Sequence, residues 1–422
     1  MSNIIKNFIK TELSILENKF LKSNQFPLSV VQYDYNDVYN SMKTLLKGWP
    51  TIGNEVYKVE QKIKKLLKTK NAVMLNSGGS ANFLILYLLR SPYARKKDKL
   101  NINDEIITPA VTWSTTVSPI IQNGLKPVFV DVNLSTYDIN SDMIEKAITK
   151  KTKAIMLVHP LGHVCNMNKI LKICKKYKLL LIEDTCETLG AKYKNKFAGT
   201  FGKFSSISFY QSHHISAVEG GMILTDDNYY ADILRSMRAN GWLREVTNIK
   251  TKKNLIKKFK NIDPSFMFPY IGFNFKPTDL NAALVSKQVD KLNSFIKKRE
   301  YAAKFIIDQL KIYKDYLYLP MFEKDVKNSW FTFPIVVKKN KYFTKSEFTD
   351  YLSANKIANR PIIAGNIVQQ PFIKDFSHKK LNLKNSELVM NSGFFIGLHH
   401  KFNKLKLKKI SKIIHKFFKK FD

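Results

Sequence analysis

The chain has 422 residues, 44% of them hydrophobic and 12% aromatic, which excludes a disordered tail and suits two domains of ordinary size. Sparse glycine (16) and proline (14) exclude a collagen-like or linker-dominated architecture. Lys and Arg outnumber Asp and Glu by 70 to 34, a formal charge of +36, but the lysines are spread along the chain in pairs such as Lys64-Lys65, Lys175-Lys176 and Lys408-Lys409. No nucleic-acid-binding signature joins them, so a solvated basic surface is expected, with a non-enzymatic polyanion-binding role as the alternative.

The first 40 residues are expected to form an appended helical and irregular segment. Glu12 and Glu17 interrupt its apolar residues, so it is not expected to be a signal peptide. No apolar run reaches about 18 residues, and no membrane span is expected. Three cysteines, Cys165, Cys174 and Cys186, cannot build a disulfide framework, and a reducing cytoplasm is the expected compartment.

From about residue 70 to 230 short apolar runs alternate with helical patterns. The runs predict strands over Ala72–Leu75, Glu105–Thr108, Pro127–Val132, Ala154–His159, Leu179–Glu183, Ser206–Tyr210 and Met222–Thr225. Helices are predicted over Ala81–Arg90, Ser141–Thr149, Asn166–Tyr177 and Tyr229–Asn240. This alternation predicts an α/β fold with a mostly parallel sheet covered by helices, which binds ligands beyond the carboxyl ends of its strands. After about residue 280 one long helix (Leu280–Leu310), a strand (Trp330–Lys338), a helix near Lys345–Asn355 and a lysine-rich terminal helix (Lys404–Lys419) predict a smaller α+β domain. The boundaries expected are 1–40, 41–285 for the large domain and 286–422 for the small one.

Three stretches carry candidate chemistry. In Asn76-Ser77-Gly78-Gly79-Ser80-Ala81-Asn82 a strand ends, two glycines turn and a helix begins, the form of a phosphate cup. In Leu179–Asp184 an apolar strand delivers Asp184 where a carboxylate can meet a protonated ring nitrogen. In Ser208–Gly221 two histidines, His213 and His214, follow a strand, and one of them can serve as a general base. Taken singly, each has a structural alternative: a glycine turn, an acidic strand cap, a polar loop.

Their order, with about 105 residues from cup to Asp184 and about 30 more to His213, is more specific than any one alone. Together with Pro109–Thr116, Gly199–Gly202, Tyr270–Asp279 and Arg360-Pro361-Ile362, it resembles the DegT, DnrJ, EryC1 and StrS sugar aminotransferases over about residues 30 to 400. The resemblance implies the aspartate-aminotransferase fold (fold type I of pyridoxal-phosphate enzymes). It also implies a homodimer with shared active sites. That family places a lysine where this chain has His213, and the Ser-Phe-Tyr-x-x-His-His-Ile pattern is similar to its sugar-nucleotide 3-dehydratases. One kind of these carries an iron-sulfur cluster, which needs four thiolates; three cysteines speak against it, so no cluster is expected.

The resemblance therefore implies a lyase that uses pyridoxal or pyridoxamine phosphate to remove the C3 hydroxyl of a nucleotide-linked 4-keto-6-deoxyhexose, with L-glutamate as amino donor, in deoxysugar or lipopolysaccharide synthesis. By the same resemblance His213 moves the proton and Asp184 holds the pyridine nitrogen. Trp113 stacks on the ring, although a packed core position is the alternative for it. Gly78, Gly79 and Ser208 hold the phosphate, Glu187 stands near the ring hydroxyl, and Asn274 reaches across from the second subunit. The chain departs from the pattern at Gly79, where a Ser or Thr is usual, and at Asn240, where His is expected. The rival within enzymes is an aminotransferase or other dehydratase using a displaced lysine such as Lys203.

Overall fold

A computed structural model describes residues 2–421. Three helices lead in: α1 (Ser2–Lys22), α2 (Tyr35–Leu46), which crosses the boundary expected at residue 40, and α3 (Asn54–Leu67). The alternating region follows as β1 (Asn71–Leu75), α4 (Gly78–Arg90), β2 (Glu105–Pro109), α5 (Ser114–Gln122), β3 (Lys126–Val130), α6 (Ser141–Ala147), β4 (Thr152–Val158), α7 (Met167–Tyr177) and β5 (Leu180–Asp184). A short hairpin, β6 (Lys192–Tyr193) and β7 (Lys196–Phe197), precedes β8 (Phe204–Ser208), β9 (Gly221–Thr225) and α8 (Asn228–Met237).

The main sheet runs β1-β9-β8-β5-β4-β2-β3. Only β9 is antiparallel to its neighbours, so the carboxyl ends of β1, β8, β5, β4 and β2 lie along one edge. Side chains alternate between two buried faces because the strand period is two. Val73 and Leu75 enter the core under α4 and α8, whereas Ala72 and Met74 enter the core shared with α3. Both faces are covered, which is why the strands read as continuous apolar runs.

The rest comprises α9 (Ile249–Lys258), α10 (Asp279–Ser286), α11 (Gln288–Leu310), β10 (Leu317–Tyr318), β11 (Val326–Lys327), β12 (Phe333–Val337), α12 (Lys345–Ala354), β13 (Asn359–Arg360), β14 (Lys379–Lys380), α13 (Lys384–Ser392), β15 (Gly393–Ile396) and α14 (Lys404–Phe418). Strands β10-β12-β15-β13 form a separate antiparallel sheet, packed through Phe333, Phe348, Phe394 and Phe417 against α11, α12 and α14. The two regions are stitched together. Strand β14 extends the main sheet beside β3, and β11 pairs with β6.

Among the expected elements, three differ in ways that bear on the site. The single helix over Leu280–Leu310 is two, interrupted at Lys287, where the Gln288 amide donates to the carbonyls of Leu284 (2.8 Å) and Ser216 (2.7 Å). The strand over Trp330–Lys338 shortens to β12, because Ser329 and Phe331 donate instead to the carbonyls of Gly162 (2.9 Å) and Leu161 (3.0 Å). The strand over Ser206–Tyr210 starts and stops two residues earlier.

Candidate active site

At the carboxyl edge of the sheet the chain leaves β1 and starts α4 within three residues. Ser77 caps the helix, its hydroxyl accepting from the Ser80 amide at 3.0 Å. The Gly78 and Gly79 amides precede the first helical hydrogen bond, from Ala81 to the Ser77 carbonyl, and belong to the set of free donors that favours an anion. A Cβ on Gly78 would stand 2.8 Å from the Cys186 Sγ and 2.9 Å from the Ser208 Cβ, so side chains from the loop after β5 and from the end of β8 already close the wall of the cup. Ser208, last in β8, completes this group.

Asp184, last in β5, is buried beside the cup. Its Oδ2 accepts from Asn82 Nδ2 and from Thr116 Oγ1, both at 2.8 Å, and its Oδ1 accepts from the Cys186 amide at 3.1 Å. Thr116 is itself reached by the Thr112 hydroxyl at 3.0 Å. The carboxylate is thus locked in orientation by groups from α4, α5 and the loop after β5. Asn82 and Thr116 are partners that sequence alone does not assign. The signal for them is a polar residue on the buried face of an otherwise apolar helix.

Trp113 stands at the start of α5 and is 58% exposed, so it is not a core aromatic; its indole is free to cover a ligand. Glu187 accepts from the Leu161 amide at 2.9 Å, and burial pushes its carboxyl up to about 7. Glu183, the acid just before Asp184, is structural. It accepts from the amides of Gly199, Phe201 and Gly202 and from His159 Nε2 at 2.9 Å, and His159 Nδ1 accepts from Cys165.

The two histidines part company. His214 is fully buried, with Nε2 donating to the Ser329 carbonyl. His213 is half-buried, its ring stacked on Phe331 with centroids 5.0 Å apart and 20° between planes. Burial, then the nearby Arg299 guanidinium, lowers the His213 pKa to about 4, so its imidazole is neutral at pH 7.

Lys203 cannot serve as a displaced anchor. It precedes β8 at the amino end, about 17 Å of strand from Ser208, and its ammonium is 2.8 Å from Asp98. Asn274 is exposed in the single chain, one residue before Phe275, whose carbonyl accepts from the Asn76 amide. At Asn240 φ is +62°, a left-handed conformation that Asn adopts more readily than most residues, and the following Gly241 packs against the Tyr270 carbonyl too closely to admit a Cβ.

A doubly covered sheet with a glycine cup, a hydrogen-bonded aspartate and an exposed indole along one edge defines the class of pyridoxal-phosphate enzymes with the aspartate-aminotransferase fold. The chain belongs to the DegT/DnrJ/EryC1/StrS aminotransferase family, whose pattern matches residues 33–417. It is 36% identical over 377 residues to GDP-4-keto-6-deoxy-D-mannose 3-dehydratase of Escherichia coli O55:H7, covering 89% of this chain and 95% of that protein. It is 35% identical over 364 residues to the lipopolysaccharide biosynthesis protein RfbH of Salmonella typhimurium, covering 84% and 83%. The solved structure of E. coli GDP-4-keto-6-deoxy-D-mannose-3-dehydratase with bound hydrated PLP matches with a TM-score of 0.84 at 33% identity, over 92% of this chain and 98% of that one.

Proposed function

We propose that this protein is a pyridoxamine-phosphate-dependent 3-dehydratase of a nucleotide-linked 4-keto-6-deoxyhexose, with L-glutamate as amino donor. The observation that carries the reading is His213: an imidazole, not an amine, occupies the loop after β8, beyond Ser208 and the cup. The relatives' names support GDP as the nucleotide and lipopolysaccharide deoxysugar synthesis as the setting.

The side chains present fit such a cofactor: the cradle at Gly78 leaves no room for a Cβ, and the Asp184 side chain is held in place by three donors. When bound, pyridoxamine phosphate would supply an amine for the sugar's 4-ketone and a ring that takes up the electron pair left when the C4′ proton is removed and returns it as the C3 hydroxyl departs. The amides of Gly78 and Gly79, with Ser208, bind the phosphate. Asp184 keeps the pyridine nitrogen protonated, Trp113 covers one ring face and excludes water, and Glu187 stands at the ring hydroxyl. Asn274 reaches the phosphate from a second copy of the chain. His213, neutral at pH 7, takes a proton from the cofactor's C4′ carbon; unlike lysine it cannot trap an aldehyde. The cofactor and His213 belong to a large domain of residues 41–285, preceded by an N-terminal segment of residues 1–40 and followed by a small domain of residues 286–422.

Incubation of the protein with pyridoxal phosphate, glutamate and GDP- or CDP-linked 4-keto-6-deoxyhexoses, followed by mass analysis, tests this reading. Loss of the C3 oxygen supports it. A stable amine gained at C4 would make the protein an aminotransferase.

A further inference from the structure

Arg299, on α11, is 1% exposed, yet among the described residues its guanidinium meets no carboxylate. Its Nη1 donates to three carbonyls: Trp330 at 3.1 Å, Phe331 at 2.9 Å, and Leu398. Burying a charge on carbonyls alone is costly. What that arrangement holds is the Ser329–Phe331 segment ahead of β12, which is not in a sheet. Trp330 sits there at φ +56°, and Gly162 lies so close that a Cβ would come within 2.3 Å of the Trp330 amide. Ser329 and Phe331 donate to Gly162 and Leu161 on the loop after β4, the same Leu161 whose amide is bound by Glu187.

The segment so fixed presents two things to the histidine loop. The Ser329 carbonyl receives His214 Nε2, and the Phe331 ring lies parallel against His213. Most functional imidazoles are oriented by a hydrogen bond to the second ring nitrogen. Here the His213 Nδ1 is buried with no partner among the described residues. The groups facing His213 are the Tyr210 ring edge, the neighbouring His214, Phe331 and the Arg299 charge, none of them an acid.

We propose that Phe331, clamped by Arg299, is a positioning residue for His213, fixing the imidazole plane by stacking in place of the usual hydrogen bond. This rests on the reading of His213 as the proton carrier. The same clamp keeps the positive charge of Arg299 behind the ring, which favours the neutral imidazole.

The test uses the full-length protein with Phe331→Leu, Phe331→Tyr and Arg299→Lys. Without substrate, nitrogen NMR of labelled histidines, with His213 assigned through His213→Asn, follows the imidazole from about pH 5 to 8. In the parent the His213 signal stays at its neutral position. In Phe331→Leu it titrates within that range, and Phe331→Tyr restores the parent behaviour. In turnover, Phe331→Leu lowers kcat about tenfold and leaves KM within about twofold, again restored by Phe331→Tyr. Arg299→Lys gives the same kcat loss, and the Arg299→Lys/Phe331→Leu double variant loses no more than either. If the Arg299 variant does not fold, the proposal stands or falls on Phe331→Leu. Parent-like titration and kcat in Phe331→Leu, or losses that multiply in the double variant, overturn it. If the parent shows no dehydratase turnover, the functional reading fails, while the NMR arm still decides the stack.

Discussion

The Nε2 of His214 lies 3.0 Å from the carbonyl of Ser329, and that bond commits the second histidine to the junction between the two regions of the chain. The half-buried His213 is left as the imidazole available for chemistry. His213→Asn is therefore expected to lower kcat by about 10²- to 10⁴-fold while cofactor absorbance titrates as in the parent. His214→Leu leaves the Ser329 carbonyl unpaired, costs about 1–3 kcal/mol in denaturant unfolding and retains turnover. Borohydride treatment of the holoenzyme is expected to leave no cofactor on any lysine, Lys203 included. Equal losses from the two histidine variants would refute the assignment.

Asp184 tests the other end of the cofactor. An amide at this position could not accept from both Asn82 and Thr116 while supplying negative charge to a pyridinium. Asp184→Asn should weaken cofactor binding by about 10- to 100-fold, the range for a charge-assisted hydrogen bond. Thr116→Val removes one orienting hydroxyl and should cost about two- to tenfold. Both are read from the visible absorbance of the cofactor during titration. A Thr116→Val affinity matching Asp184→Asn would mean that the carboxylate charge is not what binds.

Much of this site is legible in sequence because its residues sit where the chain passes from strand to helix or loop. Gly78, Asp184 and Ser208 each lie at or just past a strand end, and apolar runs mark strand ends well. Glycine pairs and acids are conspicuous beside them. The partners of Asp184 are less visible, since Asn82 and Thr116 are ordinary polar residues until a helix turns them inward. The Arg299 clamp is not legible at all. Its three acceptors are backbone carbonyls about 30 and 100 residues away, and carbonyls carry no sequence signal. The same cause explains the shortened strand at Trp330, whose side chain reads as strand while its backbone is left-handed.

Gly79 departs from the Ser or Thr usual in the family, and its surroundings explain how the chain accommodates this. A Cβ there would stand 3.2 Å from the Thr115 Cγ2 and 3.3 Å from the Thr115 Cβ, so the Thr115 side chain closely abuts the space. Gly79→Ser alone should gain little, because the new side chain must push Thr115 aside. Gly79→Ser combined with Thr115→Ser removes the obstructing methyl and adds a phosphate donor. The double variant is expected to bind pyridoxal phosphate about two- to tenfold more tightly than the parent, the worth of one hydrogen bond. A titration in which the single and double variants bind alike would show that Thr115 is not the obstacle.

Four histidines around Arg299 dominate the response to acid. The pKa values of His213, His214, His399 and His400 are all depressed, first by burial and then by Arg299, those of His213 to about 4 and His400 to about 3. In the unfolded chain such groups take up a proton near pH 6.5, as ordinary histidines do. Their contribution to stability is complete above that pH and drains away as pH falls toward about 4, because only the unfolded state binds protons in that window. Glu187 works the other way: its folded pKa is raised to about 7, so its contribution is full below its ordinary value and is lost as pH rises through 7. These imidazoles, joined by His163 and His415, whose values are also depressed, outweigh the raised carboxyls of Glu187 and Asp37, and Tm should fall by about 5 °C or more between pH 7.5 and 5. Glu187→Gln removes part of the opposing slope and should steepen that fall. A Tm that is flat or rises over the same interval would show that these imidazoles are already solvated in the folded protein.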